Sequence, residues 1–260
     1  METRARAADT MPVSRREFVA LTGTALTALA INPACAVAAP ADQAFARLTA
    51  RPKKNIKTTA AGQTPLGLGG ARDGVLHMPA AVPNTPLPLL VLFHGASSSG
   101  ERQFARFGSI PSDAGVAVLA LDSRGQTWDA VLGGFGPDVA FIDRALNKVF
   151  GQVAVDPARL AIGGFSDGAT YALSLGLING DLFPRIVAFS PGYVVRGETQ
   201  GKPRIFVSHG TADDILPINQ CSRVIVHDLR QRGYDVTYRE FAGKHEAPPA
   251  VVTEAFKWMA

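Results

Sequence analysis

The sequence predicts an α/β fold in which a mostly parallel central sheet carries helices on both of its faces. Short apolar runs alternate with segments of helical composition from residue 74 to residue 259, which is the order of elements in such folds. The run Leu87–Phe93 contains no polar side chain, as expected for a parallel strand that is buried on both sides. With 260 residues, the chain is long enough for one domain of this kind with a large core.

The elements of the first part are short apolar runs separated by polar segments. We predict strands at residues 74–79, 88–93, 115–121 and 159–163, and helices near 101–107 and at 138–150. The connection from Asp122 to Pro137 is long and rich in glycine, which is typical of a functional loop. Within it, Trp128 has two interpretations: it walls a substrate pocket, or it packs beneath the loop.

The elements of the second part follow with shorter connections. We predict helices at residues 168–178, 218–232 and 247–259, and strands at 185–190, 204–208 and 235–241. The last of these strands alternates apolar and polar residues, as an edge strand does. Cys221 falls in a predicted helix and is interpreted as a small buried residue.

The N-terminal residues have the features of an export signal. Ser14–Val19 contains a twin-arginine pattern, an apolar stretch follows to Ile31, and Ala36–Ala38 resembles a cleavage site. We therefore expect residues 1–38 to be a twin-arginine (Tat) signal peptide that engages the Tat translocon, and the mature protein to be periplasmic or secreted. An uncleaved membrane anchor is disfavoured because the stretch is short and contains threonine. Residues 39–73 are predicted to be an extended lead-in and residues 74–260 a catalytic domain.

Composition and spacing exclude several classes of function. The net charge is +4, but the basic residues are scattered, so no nucleic-acid partner is expected. No cluster of His, Cys and Asp has metal-ligand spacing and no glycine-rich phosphate loop occurs, so we expect neither a metal nor another cofactor. Cleavage after Ala38 leaves Cys221 as the single cysteine, which cannot form an internal disulfide.

The most specific motif is Gly164–Gly168, which reads G-x-S-x-G between a predicted strand and a predicted helix. A serine on such a sharp turn holds its hydroxyl clear of the backbone, and small neighbours allow the strand and helix to approach each other. Ser166 is therefore the candidate nucleophile.

An acid and a base follow the serine in the chain. Asp213 and Asp214 stand at the end of a predicted strand, and His245 lies on a turn after the last one. We assign Asp213 as the acid and Asp214 as a solvated or capping residue. His94 and His209 also end strands and are the alternative bases, although both are interpreted as turn residues.

Two backbone N–H groups can complete the site. The strand that ends at Phe93 runs into His94–Gly100, the position from which one oxyanion donor comes in such sites. A second donor is the residue after the nucleophile. We therefore predict an oxyanion hole formed by the N–H groups of Ala96 and Asp167, on position in the chain alone.

With these motifs the chain resembles the α/β-hydrolase family. Within that family, it is most similar to the compact bacterial phospholipase/carboxylesterase and polyhydroxybutyrate-depolymerase-like esterases. The resemblance spans about residues 74–259. It is carried by His94-Gly95-Ala96, the pentapeptide Gly164–Gly168, the run His209–Pro217 and His245-Glu246-Ala247-Pro248-Pro249.

The resemblance implies a serine esterase that cleaves a small-molecule or polymeric ester through an acyl-enzyme. It implies Ser166 as nucleophile, His245 as base and Asp213 as acid. We also expect a monomer without a stable membrane anchor. The short connection 191–202 leaves no room for a large lid, which favours an open site. The alternatives are an exported, catalytically inactive binding protein on the same scaffold, and a dienelactone-type hydrolase. That second family usually has cysteine where Ser166 stands.

Overall fold

A computed structural model describes residues 46–260, and residues 1–45 lie outside the described residues. The predicted signal peptide at residues 1–38 and the start of the lead-in therefore stay predictions. The strands are β1 (Gln63–Pro65), β2 (Gly74–His77), β3 (Leu87–Phe93), β4 (Ala117–Leu121), β5 (Val155–Phe165), β6 (Arg185–Phe189), β7 (Arg204–Gly210) and β8 (Val236–Phe241). The helices are α1 (Gly100–Ala105), α2 (Ile110–Asp113), α3 (Asp129–Leu132), α4 (Pro137–Val149), α5 (Asp167–Ile178), α6 (Ser222–Gln231) and α7 (Pro249–Met259).

The strands form one eight-stranded sheet in the order β1-β2-β4-β3-β5-β6-β7-β8. Neighbouring strands are parallel from β4 across to β8, whereas β2 runs antiparallel to both β4 and β1. The predicted class, a mostly parallel α/β sheet, is confirmed. All residues of β3 are buried, which explains why its sequence is a continuous apolar run.

The core lies in two layers, one on each face of the sheet. Successive residues of a strand point to opposite faces, so Val91 belongs to one layer and its neighbours Leu90 and Leu92 to the other. Helices α4, α5 and α6 contribute apolar side chains to the first layer, and α7 contributes to the second. The sequence therefore folds with both faces of the sheet covered.

The residues before β2 are mostly extended but belong to the same core as the strands. Ala46, Leu48 and Ala50 are buried. The side chain of Asn179 accepts a hydrogen bond from the N–H of Leu48 at 2.9 Å and donates one to the carbonyl oxygen of Ala46 at 2.8 Å. Asp143 accepts the N–H groups of Thr49 and Ala50. Contacts with α4 and the end of α5 thus fix this segment.

Three short elements have no counterpart in the sequence-based assignment: strand β1 and helices α2 and α3. Each spans only three or four residues, which is too short for apolar periodicity to be recognised. Residues 190–203 join β6 to β7 without a helix or strand, so no large lid is inserted in this described part. Between residues 46 and 260, no helix is long and apolar enough to cross a membrane.

Candidate active site

Ser166 stands on the sharp turn between β5 and α5. Its backbone angles, φ 57° and ψ −121°, lie in a region that side chains rarely adopt, and its N–H donates to the carbonyl oxygen of Phe189 at 2.9 Å. A Cβ atom on Gly168 would collide with the carbonyl oxygens of Phe93 and His94, and one on Gly164 would collide with the backbone of Gly168. The two glycines therefore permit the close packing that this strained turn requires.

His245 and Asp213 meet Ser166 from two other strand ends. Nε2 of His245 lies 2.8 Å from Oγ of Ser166, and Nδ1 lies 2.7 Å from Oδ2 of Asp213. Asp214 instead points outward, and the ammonium group of Lys244 lies 3.4 Å from its carboxylate. The structure thus brings together the three residues predicted as nucleophile, base and acid, and places Asp214 apart from them.

The carboxylate of Asp213 is buried and fully hydrogen-bonded. Its Oδ1 atom accepts the N–H groups of Ile215 at 3.0 Å and Leu216 at 2.8 Å. Burial opposes the charged form, but the N–H of Leu216 and the ring of His245 outweigh it and hold the pKa of Asp213 below its ordinary value. Asp213 is therefore ionised wherever the protein is folded near neutral pH, and can stabilise a protonated His245.

The two backbone N–H groups predicted as oxyanion donors belong to Ala96 and Asp167. Asp167 begins α5, and its N–H has no acceptor within the described part of the chain; the same holds for the N–H of Ala96. Gly95 approaches the nucleophile closely, because a Cβ built on it would lie 3.3 Å from Cβ of Ser166. These free donors are the groups that an oxyanion hole requires.

Trp128 does not wall a pocket, which decides between its two interpretations. Its side chain is 0% exposed and packs between Phe93 and Tyr171, and its Nε1 donates to the carbonyl oxygen of His94 at 2.9 Å. An aromatic residue with a satisfied N–H in this position is a support beneath the loop. The interpretation of Trp128 as a substrate-binding pocket wall is therefore wrong.

His94 and His209 lie beside the site but do not reach Ser166. His94 is buried behind the loop that carries Ala96, and its ring contacts Gly95 and Ser123. His209 is buried behind Asp213. Burial lowers the pKa of both rings. Their sequence signal, a histidine before a glycine at a strand end, is the same in both cases and did not reveal which group each one supports.

No group of three His, Cys, Asp or Glu side chains among residues 46–260 is arranged to hold a metal ion. Cys221 is buried directly before α6. The chemistry that this arrangement can perform is nucleophilic attack by Ser166, with proton transfer through His245 and charge stabilisation by backbone N–H groups.

The fold is that of the α/β hydrolases, and the site brings a serine, a histidine and an aspartate into contact. A family model described as phospholipase/carboxylesterase matches residues 139–259. NocK of Nocardia uniformis subsp. tsuyamanensis, a protein named as an esterase, is 26% identical over 228 residues; the match covers 77% of this chain and 66% of NocK. The chain thus spans just under two thirds of that relative's length.

Solved structures show the same fold. The crystal structure of esterase PE8 is similar with a TM-score of 0.57 and 22% identity, covering 72% of this chain and 97% of that one. The fluorophosphonate-binding serine hydrolase F of Staphylococcus aureus is similar with a TM-score of 0.59 and 16% identity; the match covers 77% of this chain and 99% of that one. The chain is thus similar in sequence to phospholipase/carboxylesterases and to an esterase, and it shares the fold of these solved hydrolases.

Proposed function

We propose that this protein hydrolyses carboxylic esters through an acyl-enzyme formed on Ser166. The observation that carries the proposal is the unbroken relay from Oγ of Ser166 to Nε2 of His245 at 2.8 Å and from Nδ1 of His245 to Asp213 at 2.7 Å. This is the geometry in which a weak hydroxyl nucleophile is activated by a base that a third group orients.

In the acylation step, Oγ of Ser166 attacks the ester carbonyl carbon while Nε2 of His245 takes the hydroxyl proton. Asp213 accepts a hydrogen bond from Nδ1, which holds the imidazole in the required tautomer and stabilises its charged form. The carbon–oxygen bond to the alcohol then breaks, and His245 gives its proton to the departing alkoxide. The products are a free alcohol and an acyl group on Ser166.

The negative charge on the carbonyl oxygen develops beside the N–H groups of Ala96 and Asp167. Both donors are fixed before the substrate arrives, so they need little reorganisation when the charge appears. The same His245 then removes a proton from water as the water oxygen attacks the acyl carbon; the bond from that carbon to Oγ breaks, His245 returns the proton to Oγ, and the acid leaves.

The site favours a small-molecule or polymeric ester that reaches an uncovered serine. The short connection between β6 and β7 supports an open site. We also propose, from the sequence of residues 1–38, that a Tat translocon exports the protein to the periplasm or beyond. We further propose that it is a monomer.

Hydrolysis of p-nitrophenyl acetate, butyrate, octanoate and palmitate by the full chain tests the proposed activity. Ser166→Ala should lower kcat by about 10³-fold or more while the protein folds normally. Ser109→Ala, which removes an exposed hydroxyl, is the matched control and should retain full activity. A fluorophosphonate should label Ser166 covalently.

Near-full esterase activity in Ser166→Ala would refute the proposed mechanism. A folded wild-type protein that cleaves none of the four esters and resists the fluorophosphonate would favour the catalytically inactive binding protein. Labelling of Ser166 without cleavage of the four esters would instead indicate an esterase with a more specialised acyl or alcohol group.

A further inference from the structure

His94 is buried directly behind the loop that carries the predicted oxyanion donor. Its Nδ1 atom lies 2.7 Å from the carbonyl oxygen of Gly95, and its Nε2 atom lies 3.0 Å from the backbone nitrogen of Ser123. The mechanism on Ser166 uses neither of these contacts. His94 is fully buried and both of its ring nitrogens form hydrogen bonds, so these bonds call for a role other than proton transfer.

The partners of His94 determine where its proton lies. Ser123 presents an N–H to Nε2, and the guanidinium of Arg72 also faces Nε2, with Nη2 at 3.1 Å. Both groups are donors, so Nε2 is an acceptor and carries no proton. The proton of the neutral ring is on Nδ1, which donates to the carbonyl oxygen of Gly95.

This hydrogen bond fixes one peptide plane beside the nucleophile. The peptide between Gly95 and Ala96 is trans, so its C=O and N–H point in opposite directions. Because the buried ring of His94 holds the carbonyl oxygen of Gly95, the N–H of Ala96 points to the opposite side of this peptide plane, away from the ring.

Arg72, which lies in the connection between β1 and β2, stabilises this arrangement. Its guanidinium donates to the carbonyl oxygen of Ser98 at 2.9 Å and to that of Ser123 at 2.5 Å, besides facing His94. The guanidinium of Arg124 in turn donates to the carbonyl oxygen of Arg72 at 2.6 Å. One planar cation therefore ties the loop after β3 to the loop after β4 and selects the tautomer of His94.

We propose that Arg72 and His94 are positioning residues that aim the N–H of Ala96 at the developing oxyanion. The inference rests on the proposed function. Arg72 acts by fixing the tautomer of His94 and the path of residues 95–98, and His94 acts by fixing the Gly95–Ala96 peptide plane. Neither residue touches the substrate, so their effect is on the charged transition state and not on binding of the neutral ester.

The test uses the full chain with four variants. Arg72→Met removes the donors and keeps the apolar stem, and Arg72→Lys restores a cation that cannot span three acceptors. His94→Asn keeps an amide N–H near the position of Nδ1, whereas His94→Gln places it near Nε2. Arg102→Met, which alters an exposed arginine on α1, is the control.

The measurements are kcat, KM, the melting temperature and inhibition by a boronic acid, whose tetrahedral adduct on Ser166 places an oxygen where the oxyanion forms. Arg72→Met should lower kcat by about 10-fold to 100-fold with KM changed less than about threefold, and should weaken boronic acid inhibition in parallel. The kcat of Arg72→Lys should lie between that of Arg72→Met and that of the wild type. His94→Asn should retain more activity than His94→Gln.

A purely structural role for Arg72 would lower the melting temperature and leave kcat and boronic acid inhibition within about twofold of wild type. That result overturns the inference, as does His94→Gln matching or exceeding His94→Asn. If the His94 variants do not fold, the half-exposed Arg72 still provides the test. Loss of activity in Ser166→Ala together with full activity in Arg72→Met refutes only this inference, whereas an active Ser166→Ala refutes the proposed function itself.

Discussion

Nε2 of His209 lies 3.1 Å from Oδ2 of Asp213, the same carboxylate oxygen that Nδ1 of His245 contacts at 2.7 Å. Nε2 also lies 2.7 Å from the carbonyl oxygen of Leu216, which can only accept, so the proton of the neutral His209 ring is on Nε2. Nδ1 then accepts a hydrogen bond from the hydroxyl of Ser222. His209 thus has the opposite tautomer to His94, which is also buried and whose proton is on Nδ1.

We predict that glutamine replaces His209 better than asparagine does. An amide N–H of glutamine lies near the position of Nε2, whereas asparagine is too short and leaves Asp213 without this donor. His209→Asn should lower kcat/KM by about 10-fold, because the contact that helps to hold Asp213 against His245 is lost. His209→Gln should stay within about threefold of wild type. Equal effects of the two substitutions would contradict the assigned tautomer.

Replacement of Trp128 should affect stability and not substrate binding. Trp128→Phe leaves the carbonyl oxygen of His94 without its indole donor and opens a small void, so the free energy of unfolding should fall by about 2–4 kcal/mol. KM for the p-nitrophenyl esters should change less than twofold. Leu132→Ser, at a side chain 71% exposed on the same loop, should leave the unfolding free energy within about 0.5 kcal/mol. A raised KM with an unchanged denaturation midpoint for Trp128→Phe would restore its role as a pocket wall.

Gly168, two residues after the nucleophile, should not tolerate a side chain. A methyl group on Gly168 would overlap the carbonyl oxygens of Phe93 and His94, which belong to the fixed backbone of β3 and its loop. Gly168→Ala should therefore prevent folding or lower the free energy of unfolding by more than about 3 kcal/mol. Gly125→Ala is the control for folding, because a Cβ on Gly125 would lie 3.5 Å from the carbonyl oxygen of Thr127, an ordinary contact distance. Soluble Gly168→Ala protein with a wild-type denaturation midpoint would show that the turn can relax.

Asp138 should make stability fall as the pH rises through the weakly acidic range. Its oxygens accept the N–H groups of Arg124 at 2.5 Å and Asp129 at 2.8 Å, but burial, with the nearby carboxylate of Asp129, raises its pKa to about 6. The folded state therefore binds this proton more tightly than the unfolded chain, whose value is 3.8. Stability from this group is full below the unfolded pKa and is lost as the pH rises to about 6.

The measurement is guanidinium unfolding of wild type and Asp138→Asn at several pH values between about 4 and 7. The difference in unfolding free energy between the two proteins should change by about 2 kcal/mol across this range, because asparagine does not titrate. A pH-independent difference would show that Asp138 has an ordinary pKa in the folded protein.

The positions of Ser166, Asp213 and His245 could be predicted because each follows a recognisable strand, and the carboxyl ends of parallel strands meet at one edge of a sheet. The supporting contacts could not. His94 and His209 precede glycine in the same way, yet one holds a backbone carbonyl and the other a carboxylate. Ala46 and Leu48 have no periodic pattern, so nothing in their sequence indicated that the side chain of Asn179, just after α5, fixes them. Such contacts depend on residues distant in the chain.

The reacting groups are distributed over four strands, and the base depends on the most exposed of them. His245 follows β8, which lies at the edge of the sheet, pairs with β7 on one side and has mostly half-buried or exposed residues. Ser166 and the oxyanion loop, by contrast, follow β5 and β3 in the buried centre. Local opening of an edge strand costs less free energy than global unfolding. On heating, catalysis should therefore cease while the centre of the sheet is still intact, so that enzyme assays detect the loss of His245 before circular dichroism detects melting.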